Sequence, residues 1–300
     1  MFALTILGNN SAIPAYGRNP TAQFLQTQEQ CFLIDCGEGT QLQLSKYKIK
    51  HSKITHIFIS HLHGDHYFGL IGLLTTMSLL GRTQPIEIYA NPLLREIINI
   101  QLNAGDVSLS YPLIFHSILK EGLIAQTNKI KIHAFKVQHS VACWGFLFKE
   151  SKNPRKVIPE RAVAYEIPAA FYENLQKGED YHTKKGTIIP NDAVTIAASR
   201  AKSYAYCADT KFDERLIEIV KEVDLLYHET TYLKDMEEKA ASRFHSTSIQ
   251  AATLAKKAQV KKLMIGHFSS KYENIEPFVA EAKTVFNETL PAIEGTCYKI

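Results

Sequence analysis

Ser60-His61-Leu62-His63-Gly64-Asp65-His66 is the stretch on which the reading of this chain turns. It follows the apolar, β-rich Ile54-Thr55-His56-Ile57-Phe58-Ile59 and precedes Phe68-Gly69-Leu70-Ile71-Gly72-Leu73-Leu74. His61, His63, Asp65 and His66 are all potential metal ligands. In an extended segment His61 and His63 point the same way, because strand side chains alternate. Gly64 lets the backbone turn sharply, so Asp65 and His66 present to a neighbouring point from the start of a helix. Two imidazoles at one point and a carboxylate with an imidazole at the next suit two adjacent metal ions. A solvated His-rich loop is the bland alternative. The strongly apolar flanks argue against it, because buried polar groups need partners.

Two ions need more ligands than this loop holds. The ends of other β-like runs offer them: His139 after Val137-Gln138, Asp209 in Tyr206-Cys207-Ala208-Asp209-Thr210, and His267 in Ile265-Gly266-His267-Phe268. The two oxygens of Asp209 can bridge both ions. The set leaves room for a water activated between the metals. A histidine at a strand end is by itself more often structural, so the argument rests on the set. His51, His56, His116, His133 and His182 lack such a setting and are read as structural or exposed.

Outward from the loop, strands and helices alternate. Strands are expected over 2–7, 21–26, 31–36, 86–90, 113–118, 129–137, 144–149, 203–208, 225–228 and 262–266. Helices are expected over 41–47, 68–80, 91–102, 213–223, 247–258 and 275–286. β-rich runs in both halves, with helices between them, predict an α/β protein: two packed sheets with helices outside, an αββα sandwich.

Residues 151–192 break the pattern. Periodicity fades among Pro154, Pro159, Pro168, Gly178, Gly186 and Pro190. This reads as an insertion in one domain spanning 1–300, either standing off the core or forming a small subdomain. Lys152, Arg155, Lys156 and Arg161 oppose Glu160 alone there, as a solvated loop or a nucleic-acid contact.

With 45% hydrophobic and 21% charged residues, composition is that of a soluble globular protein. A net charge of +4 tilts mildly towards an anionic partner. Five scattered cysteines without a Cys-x-x-Cys pair argue for a reducing cytoplasm rather than a disulfide framework. Neither a signal-peptide layout nor a bilayer-length apolar run is present in the sequence, so no membrane role is expected.

The central loop and the ligands after it resemble the metallo-β-lactamase fold and, within it, the ribonuclease Z family in its short form. The resemblance spans nearly the whole chain. Its residues begin with Leu7-Gly8, Arg18-Asn19, Asp35-Cys36-Gly37-Glu38-Gly39-Thr40-Gln41, the His61–His66 loop with Gly69-Leu70, Thr76-Met77 and Gly81-Arg82. They continue with Cys207-Ala208-Asp209-Thr210, His228-Glu229-Thr230-Thr231, His245-Ser246-Thr247 and His267-Phe268-Ser269-Ser270-Lys271-Tyr272.

The resemblance implies a zinc-dependent endoribonuclease that removes the 3′ trailer from precursor tRNA and leaves a 3′-hydroxyl. It implies one zinc on His61, His63 and His139, a second on Asp65, His66 and His267, and Asp209 bridging, with Mn²⁺ also admissible. It makes Asp65 the general base and pairs Glu229 with His245 to steer or protonate the leaving 3′ oxygen. It makes 151–192 an arm that grips tRNA across a homodimer, with substrate contacts at Arg18, Lys152, Arg155, Lys156, Arg161 and Lys271. The chain departs from the family's pattern in three places. Residues 163–170 lack Gly, Ala208 stands where Gly is customary, and Lys271 replaces an Arg, keeping the charge without the bidentate fork. A binuclear-metal phosphodiesterase or hydrolase acting on small molecules is the alternative that the altered arm permits.

Overall fold

The computed structural model describes residues 2–151, 153–198 and 200–300; Lys152 lies outside the described residues. Two seven-stranded sheets form the larger unit, Met1–Thr127, Lys131–Lys149 and Lys202–Ile300. The first sheet runs in the order Cys297–Lys299, Ala3–Gly8, Ala22–Gln26, Cys31–Ile34, Ile54–Phe58, Ile86–Ala90, Leu113–Ser117, and is parallel from Cys31–Ile34 onward. The second runs Thr289–Pro291, Leu263–Gly266, Leu225–Glu229, Ser203–Cys207, Cys143–Glu150, Ile130–Val137, Gly122–Gln126.

Strand alternation builds the layers. Leu33 and Ile57 pack with Leu44, Leu70, Leu73, Met77 and Leu94 from the helices Thr40–Lys46, Leu70–Leu79 and Leu93–Ala104. Phe32 and Phe58 point the other way, with ring centroids 5.4–5.6 Å from Phe146 and Phe148 of the second sheet. Such aromatic pairs contribute about 0.5–1.5 kcal/mol each beyond the area they bury. On the second sheet's outer side, Ser248–Lys257 packs on Leu263–Gly266 and starts with a capping box between Thr247 and Gln250. The result is the expected αββα sandwich.

Most expected elements appear within a residue or two of their predicted ends. The helix over 213–223 does not: only Leu216–Ile219 is α-helical. Asp213 takes the Arg215 amide and guanidinium into a local turn, and Glu222 sits at a φ of 57°. Gly64 also differs from expectation. Its φ is not positive; it starts the short helix Gly64–Tyr67, and a Cβ there would lie 2.2 Å from the Phe68 ring. Gly122–Gln126, Thr289–Pro291 and Cys297–Lys299 are strands that the sequence pattern does not predict; the last two, at three residues on sheet edges, are too short to show alternation.

The second unit, Asn128–Ile130 with Glu150–Ala201, has a core of its own: Val157, Ala162, Ile167, Leu175, Ile189 and Val194. Its helices Pro159–Ala164, Tyr172–Lys177 and Asn191–Val194 and its two-residue strands are too short for a period to show. Asn191 ties them together, donating from Nδ2 to the Leu175 and Glu179 carbonyls at 2.9 and 2.8 Å. No helix among the described residues is long and apolar enough to cross a membrane. All five cysteines are free.

Candidate active site

The sequence-predicted ligands converge where chain leaves the strands. His61, His63, Asp65 and His66 follow Ile54–Phe58; His139, Asp209 and His267 follow Ile130–Val137, Ser203–Cys207 and Leu263–Gly266. The turn after Asp35 packs directly against the ligand loop, with Cys36 N donating to His66 O at 2.7 Å. A Cβ on Gly37 would lie 2.4 Å from Asp65 O, and one on Gly69 2.1 Å from Gly37 O, so neither position admits a side chain.

Two ligand groups result. In the first, His63 Nδ1 lies 3.1 Å from both His61 Nε2 and His139 Nε2, and Asp209 Oδ2 lies 3.8 and 3.9 Å from those Nε2 atoms. In the second, Asp65 Oδ2 lies 3.6 Å from His66 Nε2 and 3.4 Å from His267 Nε2. Asp209 Oδ1 completes it, at 3.4 Å from His66 and 3.2 Å from His267. Asp209 thus gives one oxygen to each group. Metal–nitrogen bonds of about 2.0–2.1 Å put tetrahedral ligand atoms roughly 3.3 Å apart, close to these spacings. His66 Nε2 and Asp209 Oδ1 are moreover buried with no hydrogen-bond partner among the described residues. Such orphans cost about 1–3 kcal/mol each, and a divalent cation would satisfy both. The donor set fits a metal site.

Three of the imidazoles, His66, His139 and His267, are fixed on their far sides. His66 Nδ1 meets Asp35 Oδ2 at 2.7 Å, and Asp35 also accepts from Tyr206 Oη, Ser60 N and Ser60 Oγ at 2.6, 2.7 and 2.9 Å. This carboxylate–histidine arrangement sets the tautomer and leaves Nε2 for a metal. His139 Nδ1 donates to Phe244 O at 3.1 Å, and His267 Nδ1 contacts Thr231 Oγ1 at 3.0 Å. Asp35 stands in the quoted motif, yet sequence reasoning gave it no role; a lone carboxylate ending the apolar Cys31–Ile34 is the signal that could have found it.

Charge follows from this packing. Burial opposes ionisation of Asp65, but His66 and His267 hold its carboxyl well below the usual range. Burial likewise opposes charge on His66, yet Asp209, Asp65 and Asp35 raise its pKa, the same field that would draw in a cation and displace the proton. His245 lies beside the ligands. Its Nδ1 is 2.8 Å from Glu229 Oε1, and burial loses to that carboxylate, so its pKa rises to about 9. Glu229 is itself fixed by the amides of Thr210, Thr231 and Ser246.

Ribonuclease Z of Cytophaga hutchinsonii is 43% identical over 306 residues, covering 100% of this chain and 96% of that protein. The chain belongs to the ribonuclease Z family. Human tRNase Z, short form (ELAC1), matches in structure with a TM-score of 0.73 at 27% identity, over 99% of both chains. The metallo-β-lactamase fold protein YhfI from Bacillus subtilis shares the fold, with a TM-score of 0.70 at 18% identity over 100% of both chains. A family model described as "Anti-Pycsar protein Apyc1" matches residues 2–153, and the chain belongs to that family as well. That half carries the central loop and His139 but stops before Asp209, Glu229, His245 and His267, whereas the ribonuclease Z match includes them.

In this ribonuclease Z family member a cleft of about 560 Å³ opens on the ligands, lined by His63, Asp65, His139, Asp209 and His245. Its rim includes Lys239 and Arg243, which sequence reasoning missed. The helix Glu237–Ser242, which holds Lys239 and is capped by Arg243, brings them there, and nothing in the local sequence marks that placement. Arg18, Arg155, Lys156, Arg161 and Lys271 do not line the cleft. Arg18 donates to Asn10, Tyr272 and Glu273. Lys271 is exposed, over the Tyr272 ring. Within the second unit, Arg155 bonds Asp192 and Thr195, Arg161 bonds the Ala193 carbonyl, and Lys156 is exposed.

Proposed function

We propose that this chain is an endoribonuclease that removes the 3′ trailer from precursor tRNA, using two Zn²⁺ ions per subunit, with Mn²⁺ able to substitute. The observation that carries it is the division of Asp209 between two ligand groups, in a chain that matches ribonuclease Z over its full length. Bound there, two divalent ions would supply a nucleophile at neutral pH and neutralise charge on the attacking and leaving oxygens.

His61, His63 and His139 hold one ion, Asp65, His66 and His267 the other. Asp65 orients the attacking water and accepts its proton. As the bond from phosphorus to the 3′ oxygen breaks, His245 donates a proton to that oxygen, and Glu229 stabilises the imidazolium beforehand. Lys239 and Arg243 meet substrate phosphates at the rim, and the 150–201 unit grips tRNA through Lys156 and its neighbours.

A homodimer accords with exposed apolar side chains on adjoining helices: Leu42 on Thr40–Lys46 and Leu79 on Leu70–Leu79, 70% and 87% exposed. Five free thiols suit a cytoplasmic setting.

The test is incubation of zinc-loaded protein with a 3′-extended precursor tRNA, with single-nucleotide mapping of the ends. A cut after the discriminator base, leaving a 3′-hydroxyl, is expected. An intact precursor beside a hydrolysed small aryl phosphodiester would transfer the chain to the small-substrate reading.

A further inference from the structure

Asp65 owes part of its aim to a loop that supplies none of the candidate metal ligands. Ala12 adopts a φ of 65°, a left-handed conformation uncommon for a residue other than glycine. Its amide donates to Asp65 Oδ2 at 2.8 Å. Asn10 shapes that turn by donating from Nδ2 to Ile13 O at 2.6 Å, and Asn10 Oδ1 in turn accepts from Arg18 Nε at 2.8 Å. Arg18 then reaches across to a second loop. Nη1 donates to Glu273 O at 2.7 Å and Nη2 to Tyr272 O at 2.5 Å. That second loop starts at His267 and is zipped to the first, with Phe268 N donating to Asn9 O at 2.9 Å and Phe268–Ser269 pairing with Asn10–Ser11.

We propose that Arg18 is a positioning residue for Asp65, acting through Asn10 and the Ala12 amide, and not a contact for RNA phosphate. The proposal rests on the reading of Asp65 as the base. Three nitrogens of one guanidinium serve three acceptors on two loops, a geometry that the point charge of lysine cannot reproduce. Losing the clamp lets the Ala12 amide drift from Asp65, and misplacement by about 1 Å can cost on the order of 100-fold in rate.

Arg18→Lys keeps the charge and removes the fork. Steady-state kinetics of the zinc-loaded enzyme on precursor tRNA and on bis(p-nitrophenyl) phosphate should show kcat reduced by about tenfold or more on both. KM should stay within about twofold, and its salt dependence on precursor tRNA should keep its slope. Asn10→Ala should lower kcat similarly, and the double variant should add less than about twofold, as for two links of one relay. An unchanged kcat in folded Arg18→Lys overturns the proposal. So does a raised KM on precursor tRNA with a flatter salt slope and full activity on the diester, the signature of a phosphate contact. If Arg18→Lys does not fold, Asn10→Ala decides: lower kcat at unchanged KM supports the relay, and unchanged kcat overturns it. A wild type that hydrolyses only the diester would sink the tRNA reading and leave this comparison readable on the diester.

Discussion

In the sandwich, Asp35 gathers His66, Ser60 and Tyr206 at one buried point, whereas in the 150–201 unit Lys156 stands exposed on a two-residue strand. The sandwich builds its polar centre among Phe58, Phe146 and Tyr206 and fixes His66, His139 and His267 from behind. The smaller unit buries six apolar residues and directs Arg155 and Arg161 into its own framework. Chemistry needs groups held to fractions of an ångström, and burial with interlocked hydrogen bonds supplies that. Gripping a polyanion needs charge at roughly the right place, and a small fold with surface lysines is enough.

Four changes would break or sharpen this contrast. Asp65→Ala should lower cleavage of precursor tRNA by about 10²–10⁴-fold while binding by filter retention stays within about twofold. Equal losses in both would mean that Asp65 also contributes to RNA binding, against the proposed division of labour. Asp35→Asn should weaken metal affinity by about 10–100-fold in a chelator competition, because His66 loses the carboxylate that sets its tautomer. Glu229→Gln acts on pH. In the proposed mechanism His245 acts as the acid in its protonated form, so activity should fall as pH rises through its pKa, raised to about 9 by Glu229. Without that carboxylate the alkaline limb should move towards the ordinary value near 6.5, and a full move would lower kcat at pH 8 by about 30-fold; a limb that stays put would remove His245 as the acid. Lys156→Ala should have the smallest effect, flattening the slope of log KM against log salt by about 0.7–0.9.

The same contrast explains what could be read from the sequence. The candidate ligands follow apolar strands, so His61 to His66, His139, Asp209 and His267 were legible as a set, although a strand-end histidine such as His139 or His267 says little alone. The work of Asp35 was not, because it depends on Tyr206, a partner far away in sequence. Arg18 shows a charge in the sequence but not that Tyr272 and Glu273 already hold it. Lys239 and Arg243 reach the cleft only through the placement of a six-residue helix. The 213–223 segment looked helical until Asp213 captured Arg215. Around 151–192, elements of six residues or fewer leave periodicity nothing to act on.

The most direct test of a centre shared across one carboxylate is zinc titration of metal-stripped protein by calorimetry, wild type beside Asp209→Ala. About two equivalents should bind the wild type, and the variant should weaken both, since each ion loses one Asp209 oxygen. A single equivalent in the wild type, or two undiminished equivalents in the variant, would contradict the shared centre.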